Sequence, residues 1–228
     1  NKNVKSAVIH VSGLGIYELY VNSVRVGDLE MSPAKTNYAE EILYDTYDVT
    51  DLLSTGDNAV GIHLGNGWYN PYKKWWKEYR MQWFGAKKAI AQLHVRYEDG
   101  SESTFATDKR WTAAPGPALY NCIYDGEIYD ANEEIADWSS PSFDDAEWTP
   151  VKIYGAATAK LRPQRMPGTR IVEEISPVDQ HRINARTVVY DMGQNFAGWA
   201  RVSLRGVQGQ QLRMRFAEDI HPDGSLDP

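Results

Sequence analysis

Apolar residues in this chain recur at every second position, and no window of helical length keeps the 3.6-residue spacing of an amphipathic helix. Ala7, Ile9 and Val11 alternate with Val8 and His10. The run Ile16 to Val21 puts Tyr17, Leu19 and Val21 on one face and Ile16, Glu18 and Tyr20 on the other. Asn22-Ser23 then stands before Val24-Arg25-Val26, where a two-residue hairpin turn belongs. Serine tolerates positive φ less well than glycine, so this turn pair is weaker than Asn-Gly. Val60, Ile62 and Leu64 alternate again, as do Leu93, Val95 and Tyr97. Asp99-Gly100 marks a hairpin there, with Ser101 to Ala106 as the returning strand. Leu212, Met214 and Phe216 alternate with Arg213 and Arg215, and a short turn is expected around Thr50 to Leu53. Many short strands divided by Gly, Asp and Pro predict an all-β fold built as a β-sandwich.

Punctuation divides the chain. Arg162-Pro163-Gln164-Arg165-Met166-Pro167-Gly168 has two prolines and no periodicity, which reads as a linker. Residues 1–160 are therefore expected to form one domain, 161–170 a linker, and 171–228 a strand-rich unit lacking its later strands. Such a unit would hold an incomplete sheet or one completed by neighbours. The net charge of -7, with no Lys/Arg run longer than two, argues against a nucleic-acid partner, whose phosphates need a basic face. No apolar stretch reaches the length of a membrane span, so no membrane partner is expected. The single cysteine, Cys122, excludes an internal disulfide and reads as a small buried packer.

Three stretches taken together resemble the amino-terminal region of bacterial α-L-rhamnosidases, glycoside hydrolase family 78. The first runs from Gly15-Ile16-Tyr17-Glu18-Leu19-Tyr20-Val21-Asn22 through Tyr47-Asp48-Val49-Thr50-Asp51-Leu52-Leu53 to Leu64-Gly65-Asn66-Gly67-Trp68-Tyr69. The second is Tyr124-Asp125-Gly126-Glu127-Ile128-Tyr129-Asp130-Ala131, followed by Trp138-Ser139 and Phe143-Asp144-Asp145-Ala146-Glu147-Trp148. The third is Tyr190-Asp191-Met192-Gly193-Gln194-Asn195-Phe196-Ala197-Gly198-Trp199. One departure is Ser23, where the family usually has glycine.

The resemblance implies a jelly-roll β-sandwich of the galactose-binding-like kind, then the start of a second β-sandwich. It also implies that an (α/α)₆ barrel with the catalytic carboxylates follows, outside these residues. This part would then scaffold the barrel of an enzyme that hydrolyses terminal α-L-rhamnosyl residues, and would itself be inactive. In some relatives a domain similar to residues 1–160 holds rhamnose with the help of calcium, so rhamnose binding and a calcium ion are carried as expectations. The implied partners are a rhamnosyl-containing glycan and the catalytic domain of the same chain. A periplasmic or extracellular home is expected from the substrate class.

Trp68 to Phe84 is the most unusual stretch, holding Trp68, Trp75, Trp76 and Trp83, half of the eight tryptophans, beside Tyr69, Tyr72 and Tyr79. Its spacing fits neither strand nor helix, so it reads as a long loop. Flat aromatic faces suit the axial C–H groups of a sugar, and amides and carboxylates suit its hydroxyls. Trp68, Tyr69, Asn70, Trp75 and Trp76 are candidate sugar contacts on that ground. The competing reading is a structural cover over one end of the sandwich or a docking face without sugar affinity.

Asp125, Glu127, Asp130, Asn132, Glu133, Glu134 and Asp137 form an acidic run. Hard oxygens suit calcium, although no D-x-[DN]-x-[DN]-G pattern is present. Asp125 and Glu127 are carried as sugar contacts. A third reading makes them the acid/base pair of a self-contained glycosidase, but residues two apart on a strand point the same way and cannot flank a bond. Turn hydrogen bonding is the plain alternative. Asp191, Gln194 and Asn195, beside Gly193 and Gly198, read as a structural polar knot. His10, His63, His94, His181 and His221 are dispersed without metal-ligand spacing.

Overall fold

A computed structural model describes residues 2–71, 85–155 and 158–227. It contains strands and two single 3-10 turns, and among the described residues no helix is long and apolar enough to cross a membrane. The fold is all-β. The chain divides into two compact units, Asn1–Ile171 and Val172–Pro228.

The first unit contains β1 (Val4–Leu14), β2 (Ile16–Val21), β3 (Val24–Arg25), β4 (Glu41–Asp48), β5 (Val60–Gly65) and β6 (Lys88–Tyr97). They are followed by β7 (Glu102–Ala106), β8 (Thr112–Ala113), β9 (Ala118–Cys122), β10 (Gly126–Tyr129), β11 (Thr149–Pro150) and β12 (Lys160–Pro163). A five-stranded sheet runs in the order β12-β4-β1-β6-β7, and a three-stranded sheet in the order β3-β2-β5. Ala7, Ile9 and Val11 from β1 and Ala91, Leu93 and Val95 from β6 pack in one cluster with Tyr17, Leu19 and Val21 from β2. The alternating apolar faces thus meet between the sheets, which is the sandwich that the period of two predicts.

Gly15 is the corner between the sheets. Its φ of +128° lies where L side chains are strained, and a Cβ there would stand 2.2 Å from the Gly65 carbonyl oxygen. The turn after β2 is the expected two-residue hairpin, with Asn22 and Ser23 at φ of 51° and 67°. Its Asn22 amide is held on both sides: Nδ2 donates to Leu52 O at 2.7 Å and to Asn58 Oδ1 at 2.8 Å, while Oδ1 accepts from the Ala59 N–H at 2.9 Å. The short turn predicted near Thr50 is a 3-10 turn, Thr50–Leu52. The second hairpin passes through Gly100 at φ +81°, where the Ser101 N–H donates to Asp99 Oδ1 at 2.9 Å.

The first residues of the segment read as a linker belong to a strand. Lys160–Pro163 pairs parallel with β4, from Lys160 opposite Glu41 to Pro163 opposite Tyr44. Beyond it Thr169 bridges to Glu30, and Arg170 pairs with Asp28 at 2.8 Å. β12 is an edge strand, the one place in a sheet where a proline's missing N–H leaves no ladder bond unmade. Pro163, one of the two prolines that suggested a break, is therefore compatible with pairing.

The second unit holds a hairpin of β13 (Asp179–Asn184) with β14 (Thr187–Asp191), and a short pair of β15 (Asp219–Ile220) with β16 (Leu226–Asp227). The polar knot is a tight turn in which the Gly193 N–H donates to Asp191 Oδ1 at 2.7 Å. Leu212, Met214 and Phe216, expected on a strand, lie outside any ladder and are 55%, 48% and 69% exposed. Alternation says which side chains would face a core; a strand also needs a partner backbone, and among the described residues none pairs here.

Candidate functional site

β5 ends at Gly65 and delivers the chain into the Asn66 loop. Asn66 is buried and ties this loop to β9 twice. Its backbone N–H donates to Asn121 Oδ1 and its Nδ2 donates to the Asn121 carbonyl, both at 2.8 Å. Its own Oδ1 accepts from Asn70 Nδ2 at 3.1 Å, and its carbonyl from the Asn70 N–H at 3.2 Å. The short amides close the loop by replacing backbone partners.

The tie sets Trp68 and the turn of the β9–β10 hairpin side by side. Trp68 is half-buried, with its ring 5.6 Å from that of Tyr124 in an edge-on arrangement and the Lys35 ammonium 5.1 Å from its centroid. The adjacent Asp125 is exposed and accepts a hydrogen bond from the Tyr120 hydroxyl at 2.9 Å. Burial, and then this bond, push the Tyr120 phenol up to about 12. Glu127 is exposed on β10 opposite Asn121. Asp125 lies in the turn rather than on the strand, so the two carboxylates are not a same-face strand pair.

The other candidates behave differently. Tyr69 is buried and stands edge-on to Tyr38 at 5.3 Å, with Lys88 Nζ 3.4 Å from its hydroxyl. Burial and the neighbouring Tyr69 push the Tyr38 phenol up to about 12. Asn70 is buried beside Asn66. These two residues build the loop, while Trp68, Tyr124, Asp125 and Glu127 face outward. Trp75 and Trp76 lie outside the described residues. The sequence reading missed Asn121, Lys35 and Tyr38 as parts of the loop's support, because each comes from a distant segment. Tyr124, inside the quoted Tyr-Asp-Gly-Glu stretch, was the one available signal.

The acidic run is spent largely on local geometry. Asp130 Oδ1 accepts from the Asn132 N–H at 3.0 Å and from Asn132 Nδ2 at 2.6 Å, and these bonds hold its carboxyl below the usual range. Glu134 accepts from the Tyr129 hydroxyl at 2.6 Å. Among the described residues no three His, Cys, Asp or Glu side chains come together as a metal-holding group. The side-chain and carbonyl oxygens of Asn121 already accept from the Asn66 N–H and Nδ2.

Comparison with known proteins agrees with this architecture. Residues 2–173 match the α-L-rhamnosidase N-terminal domain, and residues 181–228 match the bacterial α-L-rhamnosidase concanavalin-like domain. An α-L-rhamnosidase of Formosa agariphila is 33% identical over 98% of this chain, which covers 24% of that relative. One from Streptomyces avermitilis is 33% identical over 99% of this chain, covering 22% of its own length. The crystal structure of the Streptomyces avermitilis enzyme complexed with L-rhamnose superposes with a TM-score of 0.94 at 32% identity, over 100% of this chain and 22% of that one. That of the α-L-rhamnosidase from Dictyoglumus thermophilum gives 0.85 at 36% identity, over 99% and 25%. The chain thus spans about a quarter of the length of these relatives. It belongs to the bacterial α-L-rhamnosidase family, with its N-terminal domain at residues 2–173 and a match to the concanavalin-like domain at 181–228.

Proposed function

We propose that this chain is the non-catalytic front of an enzyme that removes terminal α-L-rhamnosyl residues from a glycan, and that it braces the part carrying the catalytic carboxylates. The observation carrying the reading is the second unit's surface. Leu204, Leu212, Met214 and Phe216 are 48% to 69% exposed, alternate with arginines and serine, and belong to no ladder. Apolar area of this kind calls for cover by further polypeptide. The test compares amide exchange over residues 200–216 in the 228-residue chain and in a longer chain extended toward the length of its relatives. Strong protection only in the longer chain, with no rhamnose released from an aryl rhamnoside by the 228-residue chain, is the expected result. Turnover by the shorter chain would instead favour the self-contained glycosidase using Asp125 or Glu127.

A second reading, rhamnose binding by this chain, is favoured by the Trp68 and Tyr124 rings, 5.6 Å apart, next to the exposed carboxylates of the β9–β10 hairpin, Asp125 in its turn and Glu127 on β10. These residues join aromatic faces to carboxylates, the two kinds of contact a sugar ring uses. Titration of L-rhamnose with and without calcium, followed by tryptophan fluorescence, tests it. A saturable change lost in Trp68→Ala supports binding; an unchanged spectrum in both conditions leaves bracing alone. An exported, periplasmic or extracellular setting goes with such a substrate.

A further inference from the structure

The outer face of the five-stranded sheet carries a feature that neither rhamnosidase reading uses. Ile9 and Val11 point into the core, so His10 between them points out, and His94 does the same between Leu93 and Val95. The register sets His10 opposite Gln92 and Val8 opposite His94, so the two histidines are diagonal neighbours on adjacent strands. Their ring centroids are 5.5 Å apart. His10 Nδ1 hydrogen bonds to Thr46 Oγ1 at 2.8 Å, and His94 Nδ1 to Thr104 Oγ1 at 3.2 Å. Each threonine sits directly opposite its histidine, on β4 and β7 respectively.

We propose that His10 and His94 form a two-imidazole site for a late first-row divalent metal ion, of the class of Zn²⁺, Cu²⁺ or Ni²⁺. In the metal-bound form each threonine hydroxyl accepts from Nδ1–H, which leaves the Nε2 lone pair for the ion, the outer hydrogen bond that metal-bound histidines generally make. With metal–nitrogen distances near 2.0–2.1 Å, two imidazoles on one tetrahedral ion place their ring centres about 5 Å apart. The observed 5.5 Å is close to that value. Both ligands stand on paired central strands, so their backbones are fixed before the ion arrives. Imidazole selects this class of ion over calcium, which prefers oxygen.

The test is calorimetric titration of the chain with Zn²⁺, Cu²⁺, Ni²⁺ and Ca²⁺ at neutral pH. The expected result is one equivalent of Cu²⁺, Ni²⁺ or Zn²⁺ bound, with affinity falling at least about tenfold in His10→Gln and again in His94→Gln. His63→Gln serves as the control and leaves affinity unchanged. The electron paramagnetic resonance spectrum of the Cu²⁺ complex should show coupling to two nitrogens, reduced to one in either variant. Melting curves of metal-free variants establish that they fold. Uptake that is insensitive to both substitutions, or no uptake by the parent chain, overturns the assignment.

Discussion

Tyr17 of the smaller sheet donates a hydrogen bond through its phenol to the carboxylate of Asp45 in the larger sheet, within the buried interior of the first unit. Ser32 donates to the same Asp45 oxygen at 2.6 Å, and its backbone carbonyl accepts from the Tyr17 N–H at 2.8 Å. Two strands and a connecting segment are thereby joined at one carboxylate. Burial and the adjacent negative charge raise the Tyr17 phenol far above its ordinary value, so it remains a donor at any pH the fold survives. Removing the hydroxyl with Tyr17→Phe leaves the buried carboxylate short of a donor, for an expected loss of about 1–3 kcal/mol. Ser32→Ala should cost a similar amount. Because both act on one oxygen, their combination should deviate from additivity by about 0.5 kcal/mol or more, read from urea unfolding of the four proteins.

Trp138 lies across Gly61, and a Cβ there would stand 2.4 Å from the indole carbon Cζ3. The indole also meets Tyr20 edge-on at 5.2 Å. Gly61→Ala is expected to displace the ring and destabilise the first unit by about 1–3 kcal/mol, the usual cost of overpacking. The check is a lower unfolding midpoint together with a shifted tryptophan emission. An unchanged midpoint would mean that Trp138 swings aside without loss.

Stability should also fall on acidification through a window set by His10. Its folded-state value lies below that of an unfolded histidine, because of burial and then of repulsion from His94. The unfolded chain therefore binds the proton more readily. The contribution is fully present above about pH 6.5 and is lost as pH falls through the lower folded value. His94 and Tyr44 are the ring neighbours facing His10. Carboxyls such as Asp48 and Asp130, held below their usual range by turn hydrogen bonds, act at lower pH. Unfolding free energy measured against pH in metal-free buffer should slope less steeply in His10→Gln between neutrality and pH 5. Identical slopes would refute the assignment.

The loop that supports Trp68 rests on Asn66. Asn66→Ala deletes the donor to the Asn121 carbonyl, in a part-buried setting, and the acceptor for Asn70, in a buried one. An expected cost of about 1–3 kcal/mol follows. Asp125→Ala, on the exposed turn, should stay within about 0.5 kcal/mol. If the two substitutions cost the same, the loop is held by something other than the amide tie.

Much of the first unit is legible in the sequence because burial on a pleated strand has a period of two. Ala7-Ile9-Val11 and Tyr17-Leu19-Val21 identify their inward faces without any tertiary information. Gly15 as the corner between sheets is not legible, since the Gly65 carbonyl that forbids a side chain there comes from fifty residues away. Pro163 misleads because a breaker in an inner strand is tolerated at an edge. In the candidate site, composition singles out an aromatic loop but does not say which ring points outward. Tyr69 turns in against Tyr38 and Trp68 meets Tyr124, pairings decided by where β9 and residues 35–38 come to lie. The alternation of Leu212, Met214 and Phe216 is plain in the sequence, yet pattern alone does not supply a pairing partner.

Ser23 offers the narrowest test of the turn chemistry. It occupies the second position of the hairpin turn at φ 67°, its N–H donates to the Ser139 carbonyl at 3.0 Å, and its side chain is exposed. A residue with a Cβ in this region is strained by roughly 1–2 kcal/mol, which glycine relieves. Glycine also adds freedom to the unfolded chain, offsetting about 0.4–1 kcal/mol of that gain. The backbone hydrogen bond is retained in Ser23→Gly, so neither effect is masked by a lost contact. The net expectation is stabilisation by about 0.5–1 kcal/mol, seen as a higher urea midpoint at unchanged slope. A lower midpoint would show that the serine hydroxyl contributes more than the positive φ costs.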